Sequence, residues 1–447
     1  MKLLVALVTA SALIAGVAAP AHANGRFPRS VKLVFRPGQP SDALLGVTFG
    51  LLVTRDDGAS WRWICESAIG FQGTFDPDYE LSTSGAIFAT TIAGLEVTRD
   101  GCHWDRAPAP LADTYVSSLA VGPDGTLWAG TSDMVAGSAL YQSTDDGRTF
   151  TATGPLDRAG DWVHTIEVAP SDPTRLYVTG FRFDAGLPRE RLLYRSADAG
   201  ATWQELSTDA FVGTNNSDLE LVAISPIDPD LVFVRMTLVG STLQEAIYRS
   251  DDAGAAVPHW TKVLDLQDSI TGVVVRGDEE VWASTPSSGL YRSQDQGATF
   301  AIVPGVTLEG RCLAERSDGT LYLCTNNLPP DGATLHTSTT GTGSWTPALK
   351  YADLAGPTRC EVGTVQHDDC EAALWCGLRE NLGITSAEIT CGGDGDGGLV
   401  DAGIDATGTG EGKPGCCSTT EGPGGAAGAS TLALVGLAAI TRRRRAG

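Results

Sequence analysis

One short pattern, Ser/Thr-x-Asp-x-Gly-x-Thr/Ser-aromatic, returns along this chain at a nearly fixed interval. It reads TRDDGASW from Thr54 to Trp61, STDDGRTF from Ser143 to Phe150, SADAGATW from Ser196 to Trp203 and SQDQGATF from Ser293 to Phe300. Two copies are altered: TRDGCHW (Thr98 to Trp104) is one residue short, and SDDAGAAVPHW (Ser250 to Trp260) carries an insertion before its tryptophan. A further copy, STTGTGSW (Ser338 to Trp345), has Thr340 where the aspartate belongs. From one aspartate position to the next the steps are 44, 45, 53, 54, 43 and 45 residues. That period is the size of one four-stranded propeller blade, a unit that cannot bury its faces alone and must stack on its neighbours.

The surroundings of the pattern repeat too. A strand ending in Tyr-Arg-Ser precedes it at Tyr194 to Ser196, Tyr248 to Ser250 and Tyr291 to Ser293. Further upstream lie two β-rich runs joined by a turn, as in HTIEVAPSDPTRLYVTG (His164 to Gly180) and ELVAISPIDPDLVFVR (Glu220 to Arg235). Alternating Val, Ile, Leu and Tyr suit half-buried strands, and Asp-Pro or Asp-Gly dipeptides suit turns. Each repeat therefore reads as strand A, turn, strand B, loop, strand C, patterned turn, strand D. In that turn the aspartate accepts backbone N–H groups, the glycine supplies a positive φ, and the aromatic packs on the sheet. These are structural duties rather than catalytic ones.

The pattern resembles the Asp boxes, or BNR repeats, of bacterial sialidases, sortilin, xyloglucanases and the photosystem II assembly factor. Those proteins share a propeller and not a chemistry, so the resemblance implies fold and leaves function open. It implies an all-β, seven-bladed β-propeller over residues 24–350; six blades is the alternative, with the copy at Ser338 outside the ring. It also implies that the boxes lie on the C–D turns, opposite a working face built from B–C and D–A loops. The long steps of 53 and 54 point to enlarged B–C loops, Phe181 to Arg191 and Arg235 to Ala246. Enlarged loops on one rim are where binding concentrates. Blade 7 adds Thr325 to Thr334, and the stretch from Pro155 to His164 offers Asp157, Asp161, Trp162 and His164. The candidate ligand surface is Asp161, Trp162, Arg182, Asp184, Arg189, Glu190, Asn326 and Asn327.

A sialidase requires an arginine triad, a Tyr/Glu pair, an acid aspartate and a Phe/Tyr-Arg-Ile-Pro motif near its start. Here the start reads Arg26-Phe27-Pro28-Arg29, and Arg55, Arg99, Arg195, Arg249 and Arg292 sit beside the boxes on the other face. No nucleophile elbow, zinc motif or phosphate loop is present. The expected function is a non-enzymatic module binding an extracellular glycan or protein, with no cofactor. The alternatives are an extracellular glycoside hydrolase, which needs two carboxylates across a cleft, and an assembly factor for a surface complex.

The ends of the chain bear on location. MKLLVALVTASALIAGVAAPAHA has a lysine, an apolar run and an A-x-A site, so residues 1–23 read as a signal peptide. Residues 416–447 begin with Cys416-Cys417, continue through an uncharged stretch from Pro423 to Thr441 and close on Arg442 to Arg445. This order resembles the MYXO-CTERM sorting tails of myxobacterial exported proteins, which a sortase-like enzyme processes at the cysteine motif. A plain C-terminal transmembrane anchor is the other reading. Either places the body outside the cytoplasmic membrane, at the cell surface and held to it only by its C-terminus.

A formal charge of −23 disfavours nucleic acid and anionic lipid as partners. Of ten cysteines, eight lie outside the tail: Cys65, Cys102, Cys312, Cys324, Cys360, Cys370, Cys376 and Cys391. In an oxidising compartment they read as disulfides, and none has zinc-site spacing. Cys312 and Cys324 flank a hairpin turn, and Cys65 with Cys102 is the other expected pair, joining neighbouring blades. Residues 351–391 read as a Cys-rich cap around a short helix, Asp368 to Gly383, with Asp368 or Asp369 as its N-cap. Residues 392–415 read as a flexible acidic linker; Asp394-Gly395-Asp396 lacks the glutamate a calcium loop requires, so no metal is expected.

Overall fold

The computed structural model describes residues 26–391 except 74, 133–136, 155, 157–159, 184–188, 214–216, 239–242, 386–387 and 390. Seven sheets follow one another in chain order, each built on four antiparallel strands from one continuous segment. Blade 1 is β1 (Ser30–Phe35), β2 (Ala43–Val47), β3 (Gly50–Thr54) and β4 (Arg62–Ile64). Blade 2 is β5 (Tyr79–Leu81), β6 (Ile87–Thr91), β7 (Gly94–Thr98) and β8 (Trp104–Arg106). Blade 3 is β9 (Val116–Val121), β10 (Leu127–Thr131), β11 (Leu140–Ser143) and β12 (Thr151–Thr153). Blade 4 is β13 (Asp161–Val168), β14 (Leu176–Arg182), β15 (Glu190–Ser196) and β16 (Gln204–Glu205). Blade 5 is β17 (Asp218–Ile224), β18 (Val232–Leu238), β19 (Gln244–Ser250) and β20 (Thr261–Leu266). Blade 6 is β21 (Gly272–Arg276), β22 (Glu280–Ser284), β23 (Leu290–Ser293) and β24 (Ala301–Ile302). Blade 7 is β25 (Cys312–Glu315), β26 (Leu321–Cys324), β27 (Leu335–Ser338) and β28 (Thr346–Leu349).

The first strands of successive blades lie against one another around the ring, and β25 returns to β1. The protein is a seven-bladed β-propeller. The copy at Ser338 belongs to the ring, because Ser338 ends β27 inside the seventh sheet.

The repeated turn explains the period. In blade 4, Asp198 Oδ1 accepts from Ser196 Oγ at 2.9 Å and from Thr202 N at 2.8 Å, while Thr202 Oγ1 donates to Oδ2 at 2.5 Å. Gly200 N donates to Ser196 Oγ at 2.9 Å. Gly200 has φ +80°, and a Cβ there would stand 2.6 Å from the Trp128 ring of blade 3. Gly297 likewise receives Phe233 of blade 5, at 2.4 Å. The glycine thus permits the turn and forms a socket for the preceding blade's central aromatic, which couples a local motif to the packing between blades. In the inserted copy, His259 supplies both donors to Asp252, from N and Nδ1 at 2.7 Å each. In the last copy Thr340 bonds only to Thr342 O, at 2.7 Å.

The ring closes without exchanging a strand between its ends. After β28 the chain crosses blade 1, and β29 (Gly356–Pro357) pairs in parallel with β4 as a fifth strand. Two disulfides fix this segment: Cys65 bonds to Cys370 and Cys102 to Cys360. The expected bridge between Cys65 and Cys102 is therefore not formed. Both cysteines do sit on neighbouring blades, but each is claimed by the returning C-terminal segment. Cys312 is bonded to Cys324 across the β25–β26 hairpin, and Cys376 to Cys391 within the C-terminal segment. Trp375 packs against Trp63 with ring centroids 5.9 Å apart, and Gln366 Nε2 donates to Trp63 O at 3.0 Å.

The helix here begins at Gln366, earlier than expected, as a π-helical stretch (Gln366–Leu374) running into α-helix Trp375–Leu382. Neither Asp368 nor Asp369 caps its start: Thr364 Oγ1 accepts from His367 N at 3.1 Å, while Asp368 accepts from Gly363 N at 3.2 Å and contacts His367 Nδ1 at 2.7 Å. The wide turn lets Cys370 reach Cys65 while Gln366 stays buried against blade 1.

The two long repeats also differ from expectation. Their extra residues lengthen strands as well as loops: β13 has 8 residues, and β14, β15, β17, β18 and β19 have 7 each, while residues 183–189 still separate β14 from β15. The corresponding strands of blade 1 have 5 or 6 residues. Phe181, Arg182, Glu190 and Arg191, read as loop from sequence, are paired strand residues. Their hydrophobic and β-branched neighbours simply continue the hairpin.

Candidate functional site at the channel mouth

All seven inner strands start at the same face, so residues at or just before those starts form a rim around one mouth of the channel. The rim carries Arg29 on blade 1, Asp78 on blade 2, Tyr115 on blade 3, Trp162 on blade 4, Asp218 on blade 5, Thr271 on blade 6 and Arg311 on blade 7. The patterned turns lie at the other ends of the blades.

An aromatic row crosses blades 2 to 4 of this rim. Phe71 meets Phe75 at 6.5 Å between centroids, Phe75 meets Tyr115 at 6.1 Å, and Tyr115 meets Trp162 at 6.4 Å, each edge to face. Trp162 then stacks on Phe181 at 5.6 Å and 11°. Trp162 and Phe181 are cross-strand partners in register, which explains the stack. The Arg189 guanidinium lies 3.9 Å from the Phe181 centroid and is ion-paired with Asp218 of blade 5. Trp162, Phe181 and Arg189 thus form three layers, anchored on the next blade. Phe75, Tyr115, Trp162 and Phe181 are all half-buried, with part of each ring facing solvent.

Beneath this stack, Asp161 is fully buried and grips Arg182 with Nε–Oδ1 2.6 Å and Nη2–Oδ2 3.3 Å. Arg182 also reaches Glu190 at 3.2 Å. His164 lies edge-on to Phe181 and 3.4 Å from Glu220. Burial, with Arg189 and Arg235 nearby, pushes its imidazole down to about 4, so it is neutral at pH 7. Arg235 is ion-paired with Glu220.

Deeper in the channel, Lys32 Nζ bridges blades 1 and 2, bonding Asp78 at 2.5 Å and Glu80 at 3.0 Å. The Lys32 side chain keeps 36% of its surface exposed. Burial opposes its charge, but the two carboxylates outweigh that and hold it protonated. Asp78 also accepts from Leu119 N of blade 3 at 3.1 Å, tying three blades together. Burial raises the Glu80 carboxyl against the pull of Lys32. Glu167, on blade 4, is pushed up to about 8 by burial, with Lys32 opposing and Glu80 and Asp78 adding to the rise. At neutral pH Glu167 therefore retains its proton in the channel that holds the Lys32 ammonium.

Of the residues expected from sequence, Asp161, Trp162, Arg182, Arg189 and Glu190 come together on blade 4. Asn326 and Asn327 lie on blade 7: Asn326 N donates to Asp331 at 2.9 Å and its Nδ2 to Glu309 at 3.4 Å, and Asn327 Oδ1 accepts from Tyr351 N at 2.9 Å. Asp184 and Asp157 lie outside the described residues. Sequence reasoning missed Phe75, Tyr115 and Phe181 of the row, and Lys32, Asp78, Glu80 and Glu167 of the channel. For Tyr115, Lys32, Asp78 and Glu80 the available signal was their shared position, at or near an inner-strand start, in successive repeats; Phe181 and Glu167 carry no such signal. No group of His, Cys, Asp and Glu suited to a metal ion occurs among the described residues. A separate cavity of about 250 Å³, lined in part by Arg99, His103 and Arg106, lies beside a patterned turn and away from the mouth.

Fold and rim define a propeller with an aromatic mouth over a charged channel. A family described as "Two component regulator propeller" matches residues 110–133. The chain is 24% identical over 276 residues to a probable oligoxyloglucan-reducing end-specific xyloglucanase of Neosartorya fischeri, covering 55% of this chain and 31% of that protein. It is 30% identical over 176 residues to xyloglucanase Xgh74A of Acetivibrio thermocellus, covering 32% of this chain and 20% of that protein. The chain thus spans a third or less of these curated relatives. Among solved structures, PorZ, a surface component of the type IX secretion system of Porphyromonas gingivalis, aligns with TM-score 0.49 and 17% identity over 70% of this chain and 46% of PorZ.

Proposed function

We propose that the protein is an exported, surface-held propeller that binds a glycan across the channel mouth. The observation that carries this reading is the row Phe75, Tyr115, Trp162 and Phe181, four half-buried rings from three blades on one rim. Sugar rings present apolar C–H faces with hydroxyls at their edges, and rigid aromatics meet such faces at low entropic cost. The partial match to xyloglucan-acting relatives supports the same ligand class. The signal peptide, the Asp-box nature of the repeat and the MYXO-CTERM type of the tail are part of the proposal. Residues 1–25 and 392–447 lie outside the described residues, and no described helix is long and apolar enough to cross a membrane. A glycan array probed with the oxidised, exported chain tests the reading. Retention on β-glucans or xyloglucan, lost in Trp162→Ala, supports it; no retention on any glycan overturns it.

A second reading, glycoside hydrolysis, is favoured by one observation: proton-holding Glu167 shares the channel with Asp78 and Glu80. Hydrolysis requires one protonated and one ionised carboxyl. Release of reducing ends from xyloglucan, abolished by Glu167→Gln, distinguishes this reading from binding alone.

A further inference from the structure

We propose that the rim beside the aromatic row, at Arg29 and Arg311 of blades 1 and 7, seats an anionic substituent of the bound glycan, a uronate carboxylate or a sulfate ester. The inference rests on the glycan reading above and adds the chemical class of the sugar.

Arg29 immediately precedes β1, and Arg311 immediately precedes β25, the inner strand packed beside it. Both are set by the same scaffold as the aromatic row: Arg29 N donates to Thr48 Oγ1 at 3.0 Å, and Arg311 N to Cys324 O at 2.8 Å. Four other arginines of this face are ion-paired. Arg26 pairs with Asp76 at 2.5 Å, Arg182 with Asp161, Arg189 with Asp218, and Arg235 with Glu220. Among the described residues, no carboxylate lies within ion-pair distance of Arg29. Arg29 is an exposed residue, and its guanidinium rests 5.6 Å from the Phe27 centroid. Partial burial, then Arg311 and Arg26 nearby, depress its basicity, and Glu309 only partly offsets them. Arg311 spends one side of its fork on Glu309, at 3.1 Å.

A guanidinium left without a carboxylate among like charges gains most from an incoming oxyanion, which its planar fork matches with two parallel N–H bonds. A neutral sugar brings no such group. The chain's overall negative charge works against anions at long range, but at physiological ionic strength that field is screened beyond about 8 Å. The rim pair then decides.

The test is calorimetric titration of the full, oxidised chain at physiological salt. Three oligosaccharides of equal length are compared: neutral, uronate-bearing and sulfated. The expected result is about tenfold tighter binding of an anionic oligosaccharide than the neutral one, in keeping with a charge-assisted hydrogen bond. Arg29→Gln should bring the anionic affinity down to the neutral value, and the stronger of the two anionic arms identifies the group. Equal affinity for all three, or equal weakening of all three by Arg29→Gln, overturns the anion subsite while leaving the glycan reading in place. If Trp162→Ala changes none of the three affinities, the glycan reading itself falls, and the subsite with it.

Discussion

Breaking the C-terminal clasp should open the ring at a single seam. Cys65 and Cys370 are separated by 305 residues, and Cys102 and Cys360 by 258. On the chain-entropy account, a loop of the larger size restricts the unfolded chain by about 5.7 kcal/mol. The two bridges share most of that loop. With Cys102–Cys360 intact, Cys65–Cys370 closes only the stretches between Cys65 and Cys102 and between Cys360 and Cys370, about 47 residues, which corresponds to about 4 kcal/mol. Cys370→Ser should therefore cost about 4 kcal/mol. Cys370→Ser combined with Cys360→Ser approaches about 10 kcal/mol, comparable with the whole stability of many domains. Urea titration with native-state hydrogen exchange reads both quantities. The first amides to lose protection should be Ala355 and Thr358, which bond to Trp61 O at 3.0 Å and Trp63 O at 2.8 Å. Cys376→Ser is the control, since its bridge spans 15 residues within the C-terminal segment and leaves both ring bonds in place. An unchanged urea midpoint in Cys370→Ser, or Ala355 and Thr358 protected as fully as the inner strands, would refute the closure argument.

Other consequences follow from the channel and the repeated turn. Glu167 has a folded-state value raised to about 8, above its unfolded one. Its contribution is fully present below about pH 4.5 and is lost as pH rises through about 8, at up to about 1.4 kcal/mol per unit before screening by channel water. Glu167→Gln, which keeps the neutral form, should grow more stable relative to the parent chain between pH 5 and 8 in urea titrations; a constant difference would contradict this. Asp161→Ala leaves Arg182 buried with Glu190 as its remaining carboxylate, so stability should fall by about 3 kcal/mol. A loss below about 1 kcal/mol in denaturant unfolding would mean the pair does not hold the rim. Gly297→Ala forces a positive φ on alanine and a Cβ into the Phe233 ring. Together these should cost about 2–4 kcal/mol by thermal or urea unfolding.

How far the sequence reveals this molecule depends on the range of each interaction. The turn around Asp198 is legible because every partner lies within four residues of it. The blade count follows from the spacing of those turns. Closure is not legible: Cys65 and Cys102 look like natural partners at sequence level, and only the path of the chain after β28 brings Cys370 and Cys360 to them. The lengthened hairpins of blades 4 and 5 were read as loops because Phe181 to Arg191 mixes charged and turn-forming residues. Pairing of Arg182 with Glu190 across the hairpin places those charges on strands instead. Trp162 was recognisable as a rim residue. Its partner Tyr115, and Phe75 beyond it, were not, since they come from other repeats and line up with it only once the inner-strand starts are gathered at one mouth.

The central claim is that ligand meets the mouth through Trp162 and not the opposite face. Labelling the tryptophan indoles with nitrogen-15 and titrating the oxidised chain with a xyloglucan oligosaccharide tests it residue by residue. The account predicts that the Trp162 indole signal shifts with saturation, while those of Trp61 and Trp203, which belong to patterned turns, stay in place. A shift confined to the turn tryptophans, or none at Trp162 when ligand is bound, would contradict it.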